Sequence, residues 1–167
     1  MRFASTISLL STAVALTSAT KLQNAMTQLC LDAFNGLSNG AGLYMGPCDQ
    51  VKHGNWQILQ SNEQVWIHSN EDTSANGGQG WCVDMNPSRN ESPTVWQCNG
   101  GANQRFIRDP NAPGGKWSFM TTFEHPQWGA YLLSSTKTAW GSSAEIGTVS
   151  STSAGPTGHN YEWNYIN

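Results

Sequence analysis

Charge is what this sequence has least of. Asp, Glu, Lys and Arg make up 11% of its 167 residues, and the net charge is −3. So few basic residues exclude the electrostatic footprint of a nucleic-acid-binding protein. A close Cys-x-x-Cys pair is also missing, and His53, His68, His125 and His159 are scattered without ligand spacing. No metal and no cofactor are therefore expected. The 11 carboxylates are mostly single and turn-located. No pair can be assigned to glycoside hydrolysis, and no nucleophile-elbow motif frames a serine. The chain reads as a binding protein and not as an enzyme. Beyond the first twenty residues no long hydrophobic run occurs, so no membrane insertion is expected.

The first nineteen residues have their own pattern. Arg2 supplies a positive charge, Ile7 to Leu16 form an apolar run diluted by Ser and Thr, and Thr17 and Ala19 are small. That run is too short and too rich in hydroxyls to span a bilayer. It reads as a secretory signal peptide over 1–19, cut near Ala19–Thr20. A secreted, extracellular single domain over 20–167 is the expectation. In an oxidising compartment the even set Cys30, Cys48, Cys82 and Cys98 implies disulfides, for which three pairings exist.

What the chain has in quantity is turn and aromatic residues, with 17 Gly and 8 Trp. These favour short strands over long helices. Lys21 to Ala25, Leu43-Tyr44-Met45, Gln64 to His68, Trp117 to Met120, Tyr131 to Leu133 and Ala144 to Val149 read as strands. Asn35-Gly36 and Asn39-Gly40 read as turns, and Glu71–Gly80 as an exposed, mobile loop.

A repeat runs through these segments. Cys30-Leu31-Asp32 recurs as Cys82-Val83-Asp84, 52 residues on, and the closing aromatics Trp56, Phe106 and Trp163 are separated by 50 and 57. A period near fifty marks a supersecondary unit that buries its apolar face only against its copies. Three copies, roughly 21–59, 63–107 and 116–167, predict an all-β fold, a β-trefoil with a six-stranded barrel capped by hairpins. The closing aromatics would meet near its axis. The same repeat selects the pairs Cys30–Cys48 and Cys82–Cys98, each closing a short loop.

At these residues the chain resembles the ricin-B-type lectins, trefoils marked by a Gln-x-Trp-like box in each repeat. The resemblance implies a shallow sugar site for galactose-type or other pyranose glycans. In the second repeat it assigns Asp84 as hydroxyl acceptor, Trp96 as stacking platform, Asn103 as amide contact and Gln104 as the residue orienting the carboxylate. Thr94 stands where a longer polar side chain is common, and Phe106 replaces the box Trp in the core. These types suit a pyranose, which offers an apolar C–H face and a ring of hydroxyls. The first repeat is a weaker candidate site, with Asp32, Tyr44 and His53, because Gly46 occupies the platform position and His53-Gly54 replace Asn-Gln. Tyr44 or Trp66 is the aromatic left to it. The third repeat lacks cysteines and the motif Asp, keeps Asn160 beside Tyr161, and reads as structural. Asn90-Glu91-Ser92 is a glycosylation sequon. A competing reading is a trefoil that binds a protein partner, as a protease inhibitor or effector, through Glu71–Gly80 and Ser150–Gly158.

Overall fold

A computed structural model describes residues 20–61, 64–71, 75–85, 92–108, 116, 118–125, 129–134, 141–149 and 162–166. The proposed signal peptide, the Asn90 sequon, the segment Ser150–Gly158 and the pair Asn160-Tyr161 lie outside the described residues.

Strands follow the glycine and asparagine punctuation of the chain. Repeat one contributes β1 (Lys21–Asn24), β2 (Cys30–Asp32), β3 (Ala41–Gly42), β4 (Tyr44–Gly46) and β5 (Trp56–Ser61). Repeat two contributes β6 (Gln64–Ser69), β7 (Trp81–Asp84), β8 (Thr94–Gln97) and β9 (Phe106–Arg108). Repeat three contributes β10 (Phe119–His125), β11 (Gly129–Ser134), β12 (Ser142–Ser143), β13 (Glu145–Val149) and β14 (Trp163–Ile166). The only helical pieces among the described residues are a turn at Ala75–Gly78 and a 3-10 turn at Ala102–Gln104. The loop expected to be wholly exposed is thus partly structured. Gly77 to Gln79 face solvent, whereas Glu71 is half-buried and Gly80 buried.

First and last strands of the repeats form the barrel wall. All pairings are antiparallel: β1 with β14, β5 with β6, β6 with β9 and β9 with β10. An isolated bridge joins Thr20 to Trp56. The ion pair Lys116–Glu162, at 2.6 Å, holds the approaches to β10 and β14 together. The middle strands form three hairpins, β2–β4, β7–β8 and β11–β13. Short β3 pairs with β8, and short β12 with β4, so each links its own repeat to the hairpin of another.

The threefold relation is exact in register. Leu31 faces Met45, Val83 faces Val95, and Leu133 faces Ile146. Leu22, Ile67 and Phe119 occupy matching positions on the first strands and are fully buried, as are Leu31, Val83 and Leu133 on the second. Trp56, Phe106 and Trp163 close the core with no exposure, as their spacing predicts. Trp56 Nε1–H donates to the Leu31 carbonyl at 2.9 Å and Trp163 Nε1–H to the Leu133 carbonyl at 3.1 Å. Phe106 has no N–H to give and instead meets Phe119 edge-on, ring centroids 6.3 Å apart. The replacement of Trp at this box position is therefore a core change.

Both expected disulfides are present, Cys30–Cys48 and Cys82–Cys98, each bridging the strands of one cap hairpin or its turn. Closing loops of this size stabilises the fold by about 3 kcal/mol each in the chain-entropy view. The indole bonds carry a testable share as well. Trp56→Phe keeps a ring that repeat two already accommodates but leaves the buried Leu31 carbonyl unpaired. Urea unfolding should show a loss of about 1–3 kcal/mol. An unchanged midpoint would mean that the bond contributes nothing.

Candidate functional site

The β7–β8 register decides which side chains of repeat two share a face. Cys82 lies opposite Trp96, Val83 opposite Val95, and Asp84 opposite Thr94. Alternation sends Val83 and Val95 into the core and sets Cys82, Asp84, Thr94 and Trp96 together on the other face. The Cys82–Cys98 bond ties the same two strands.

Asp84 is the centre of this face and is almost wholly buried, 1% exposed. A buried carboxylate is tolerated only with hydrogen bonds. Its Oδ2 accepts from Asn103 Nδ2 and, at 3.2 Å, from Gln104 Nε2. Gln104, itself fully buried, also donates to the Gln97 carbonyl at 2.9 Å, and its Oε1 accepts the Asn99 N–H at 2.9 Å. One side chain thereby connects the end of β8, the following turn and the carboxylate. The Asn103 carbonyl accepts the Met85 N–H at 2.8 Å, which fixes the box residues beside the end of β7. A Cβ on Gly101 would come 2.6 Å from Asn103 Oδ1 and 2.8 Å from Asn99 Oδ1, so a larger residue would require both amide oxygens to shift. Asp84 Oδ1, by contrast, is buried and accepts no hydrogen bond among the described residues.

Trp96 is half-buried, and its support comes from another repeat. Gly40 N–H donates to the Val95 carbonyl at 2.9 Å, and Asn39 Oδ1 accepts the Gln97 N–H at 2.8 Å. A Cβ on Gly40, whose φ is +83°, would lie 3.5 Å from the Trp96 ring. Thr94 sits opposite Asp84 and is 7% exposed. Asp84, Thr94, Trp96, Asn103 and Gln104 are thus brought together. The roles of Asn39, Gly40 and Gly101 were not legible as site features. Asn39-Gly40 is visible in sequence only as a turn, and its contact lies 55 residues or more downstream.

Repeat one solves the same problem by a different route. Asp32, 2% exposed, is held by main chain. Its Oδ1 accepts His53 N–H at 2.8 Å and Lys52 N–H at 3.2 Å, and its Oδ2 accepts Lys52 N–H at 3.2 Å. His53 helps Asp32 through its backbone only, since the ring Nδ1 is 2.6 Å from Glu71 Oε2. Gly46, opposite Cys30, takes the place of Trp96, and Tyr44, opposite Asp32, that of Thr94. Trp66 lies on the barrel strand β6, opposite Leu59, and is not part of this hairpin. In repeat three, Ser134 holds the carboxylate position and Gly147 the platform position, as the pairs Ser134–Glu145 and Leu132–Gly147 establish.

Because Gln104 satisfies three partners at once, Gln104→Ala should cost about 2–4 kcal/mol, measured by chemical denaturation. Asn103→Ala removes one contact at a half-buried position and should cost less. Equal, small losses for both would contradict the assigned division of labour.

Known proteins share this fold. Residues 18–114, which hold the first two repeats, match the ricin-type beta-trefoil lectin domain. The third repeat, without cysteines or the motif Asp, lies beyond that match. Among solved structures, the designed threefold-symmetric protein ThreeFoil is similar at 16% identity with a TM-score of 0.65, over 89% of this chain and 97% of that one. A mosquitocidal holotoxin is similar at 12% identity with a TM-score of 0.68, over 92% of this chain and 17% of the toxin. At such identities the likeness is one of fold. No curated protein sequence matches the chain. Fold, repeat and sequence match agree, and the chain belongs to the ricin-type β-trefoil lectin domain family, whose members are carbohydrate-binding lectins.

Proposed function

We propose that this protein is a secreted lectin whose principal sugar site is the β7–β8 face of repeat two, selective for pyranoses of galactose type. The observation that carries the reading is the state of Asp84. One oxygen is fixed by Asn103 and Gln104, while Oδ1, also buried, accepts no hydrogen bond among the described residues, on a strand face that also bears Trp96. A carboxyl group held in place with one oxygen left unsatisfied suits a sugar hydroxyl, and a hydrogen bond to a carboxylate is among the strong ones. The indole supplies an apolar plane. An axial 4-hydroxyl leaves the C3, C4 and C5 hydrogens of a galactose-type ring on one side, which gives that plane a matching surface. Thr94, short and buried, limits the hydroxyls that can be read beyond Asp84.

Secretion is supported by the two disulfides, which persist in oxidising compartments, and by the composition of residues 1–19. Binding without catalysis is the reading throughout. A single site of this size should hold a monosaccharide at about millimolar Kd, so that extended or multivalent glycans become the effective ligands.

A glycan array comparing wild type with Trp96→Ala and Asp84→Asn tests the proposal. Asp84→Asn keeps the shape and removes the charge, and should weaken galactose-type binding about 10- to 100-fold. Trp96→Ala should remove the same signals while the circular dichroism spectrum stays that of the wild type. Unchanged array profiles for both variants would overturn the site.

A further inference from the structure

One wall of the barrel carries a combination of side chains that its threefold copies lack. Val65 and Ile67 of β6 point into the core, so Gln64 and Trp66 point outward. Trp66 is half-buried, and Leu59, opposite it on β5, is 38% exposed. On its other side β6 meets β9 in the register Val65–Phe106. Arg105 precedes Phe106 with an extended backbone, φ −100° and ψ 127°, and continues that register to stand beside Trp66. Cross-strand neighbours of this kind have Cβ atoms about 5 Å apart.

Arg105 is a cation without a counterpart. The residue is half-buried, its Nε is closed off from solvent, and its side chain makes no hydrogen bond or ion pair among the described residues. Charged groups at the matching positions of the other repeats are paired. Lys21, which matches Trp66 in repeat one, donates to the Cys48 carbonyl, and Glu162, which matches Arg105 in repeat three, is held by Lys116. Asn55 and Ser118 complete those two copies. The trefoil therefore does not itself require an indole beside an arginine.

A partly desolvated guanidinium gains from a carboxylate, which meets its planar fork with two parallel hydrogen bonds. The neighbouring indole offers a flat apolar surface to the C–H face of a pyranose. Gln57 and Gln64, half-buried on the same outer face, supply amides for ring hydroxyls. Strand β6 is paired on both sides, so it offers a peptide no free edge on which to extend the sheet. We propose that the barrel wall around Trp66 and Arg105 binds a carboxylated sugar, a uronic or sialic acid, with the carboxylate on Arg105 and the ring against Trp66. This site lies outside the cap hairpins and shares no side chain with the face of Asp84 and Trp96.

The test uses the full-length Asp84→Asn protein and follows the Trp66 indole N–H by NMR, assigned by its loss in Trp66→Phe. Galacturonic acid, N-acetylneuraminic acid, galactose and sodium acetate are titrated in turn. One of the two acidic sugars should shift the Trp66 signal to saturation, about tenfold more tightly than galactose or acetate. Adding Arg105→Gln should weaken that binding about tenfold, and Arg105→Lys, which keeps the charge but not the fork, should weaken it less. Should Arg105→Gln fold poorly, Arg105→Lys carries the comparison. A Trp66 signal that moves with neither acidic sugar would overturn the site, as would binding indifferent to both Arg105 variants. Equal binding of galactose would overturn the role of the carboxylate. Equal binding of acetate would overturn the sugar and point to an acidic protein segment instead. Each of these results would leave the repeat-two site standing, because that site is read separately from the Trp96 signal of the wild type with galactose.

Discussion

A carboxylate buried at the end of a cap strand has to be satisfied, and the three repeats differ chiefly in how they meet that demand. Desolvating a charge without partners costs more than a small domain can offset. Repeat two meets the demand with side-chain amides, Asn103 and Gln104, both on one oxygen of Asp84. Repeat one uses the main-chain N–H groups of Lys52 and His53. Repeat three has Ser134 at that position and no carboxylate to satisfy. The side-chain solution leaves the second, buried oxygen without a partner among the described residues, whereas the main-chain solution engages both oxygens. Two hairpins of the same register therefore present different surfaces.

The scaffold around these carboxylates is the same in each copy. Core residues alternate inward at matching positions, two indoles donate to matching carbonyls, and disulfides close the two hairpins that carry the motif aspartates. The copies also support one another directly. Segment 39–42 of repeat one braces β8 beneath Trp96, and segment 141–144 of repeat three braces β4 beside Tyr44. The aromatic of each of these hairpins, Trp96 or Tyr44, thus rests on a strand braced by another repeat, so no repeat builds its cap hairpin alone.

Much of this was legible in the sequence because it depends on spacing. The interval between Cys-Leu-Asp and Cys-Val-Asp, together with Trp56, Phe106 and Trp163, specified the trefoil, and the copies implied the disulfide pairing. The resemblance named Asp84, Trp96, Asn103 and Gln104, and the fold brings these four together at one hairpin. What spacing does not carry is the direction of a side chain. The His53 ring turns to Glu71 and serves Asp32 only through its backbone, a choice set by a residue in another repeat. Phe34 carries no motif signal in the sequence, and the fold sets it in one cavity lining with Tyr44 and Gly141. Glycines are legible as turns, yet the bracing role of Gly40 arises only when repeat one packs on repeat two.

The central claim is that Asp84 and Trp96 form one sugar-binding face, distinct from the indoles of the core. The most direct measurement follows the indole N–H signals of the 8 tryptophans by NMR while galactose is added. The Trp96 signal should shift with saturation, while those of Trp56 and Trp163, buried and bonded to carbonyls, should stay in place. Sugar binding that saturates without moving the Trp96 signal would contradict the account.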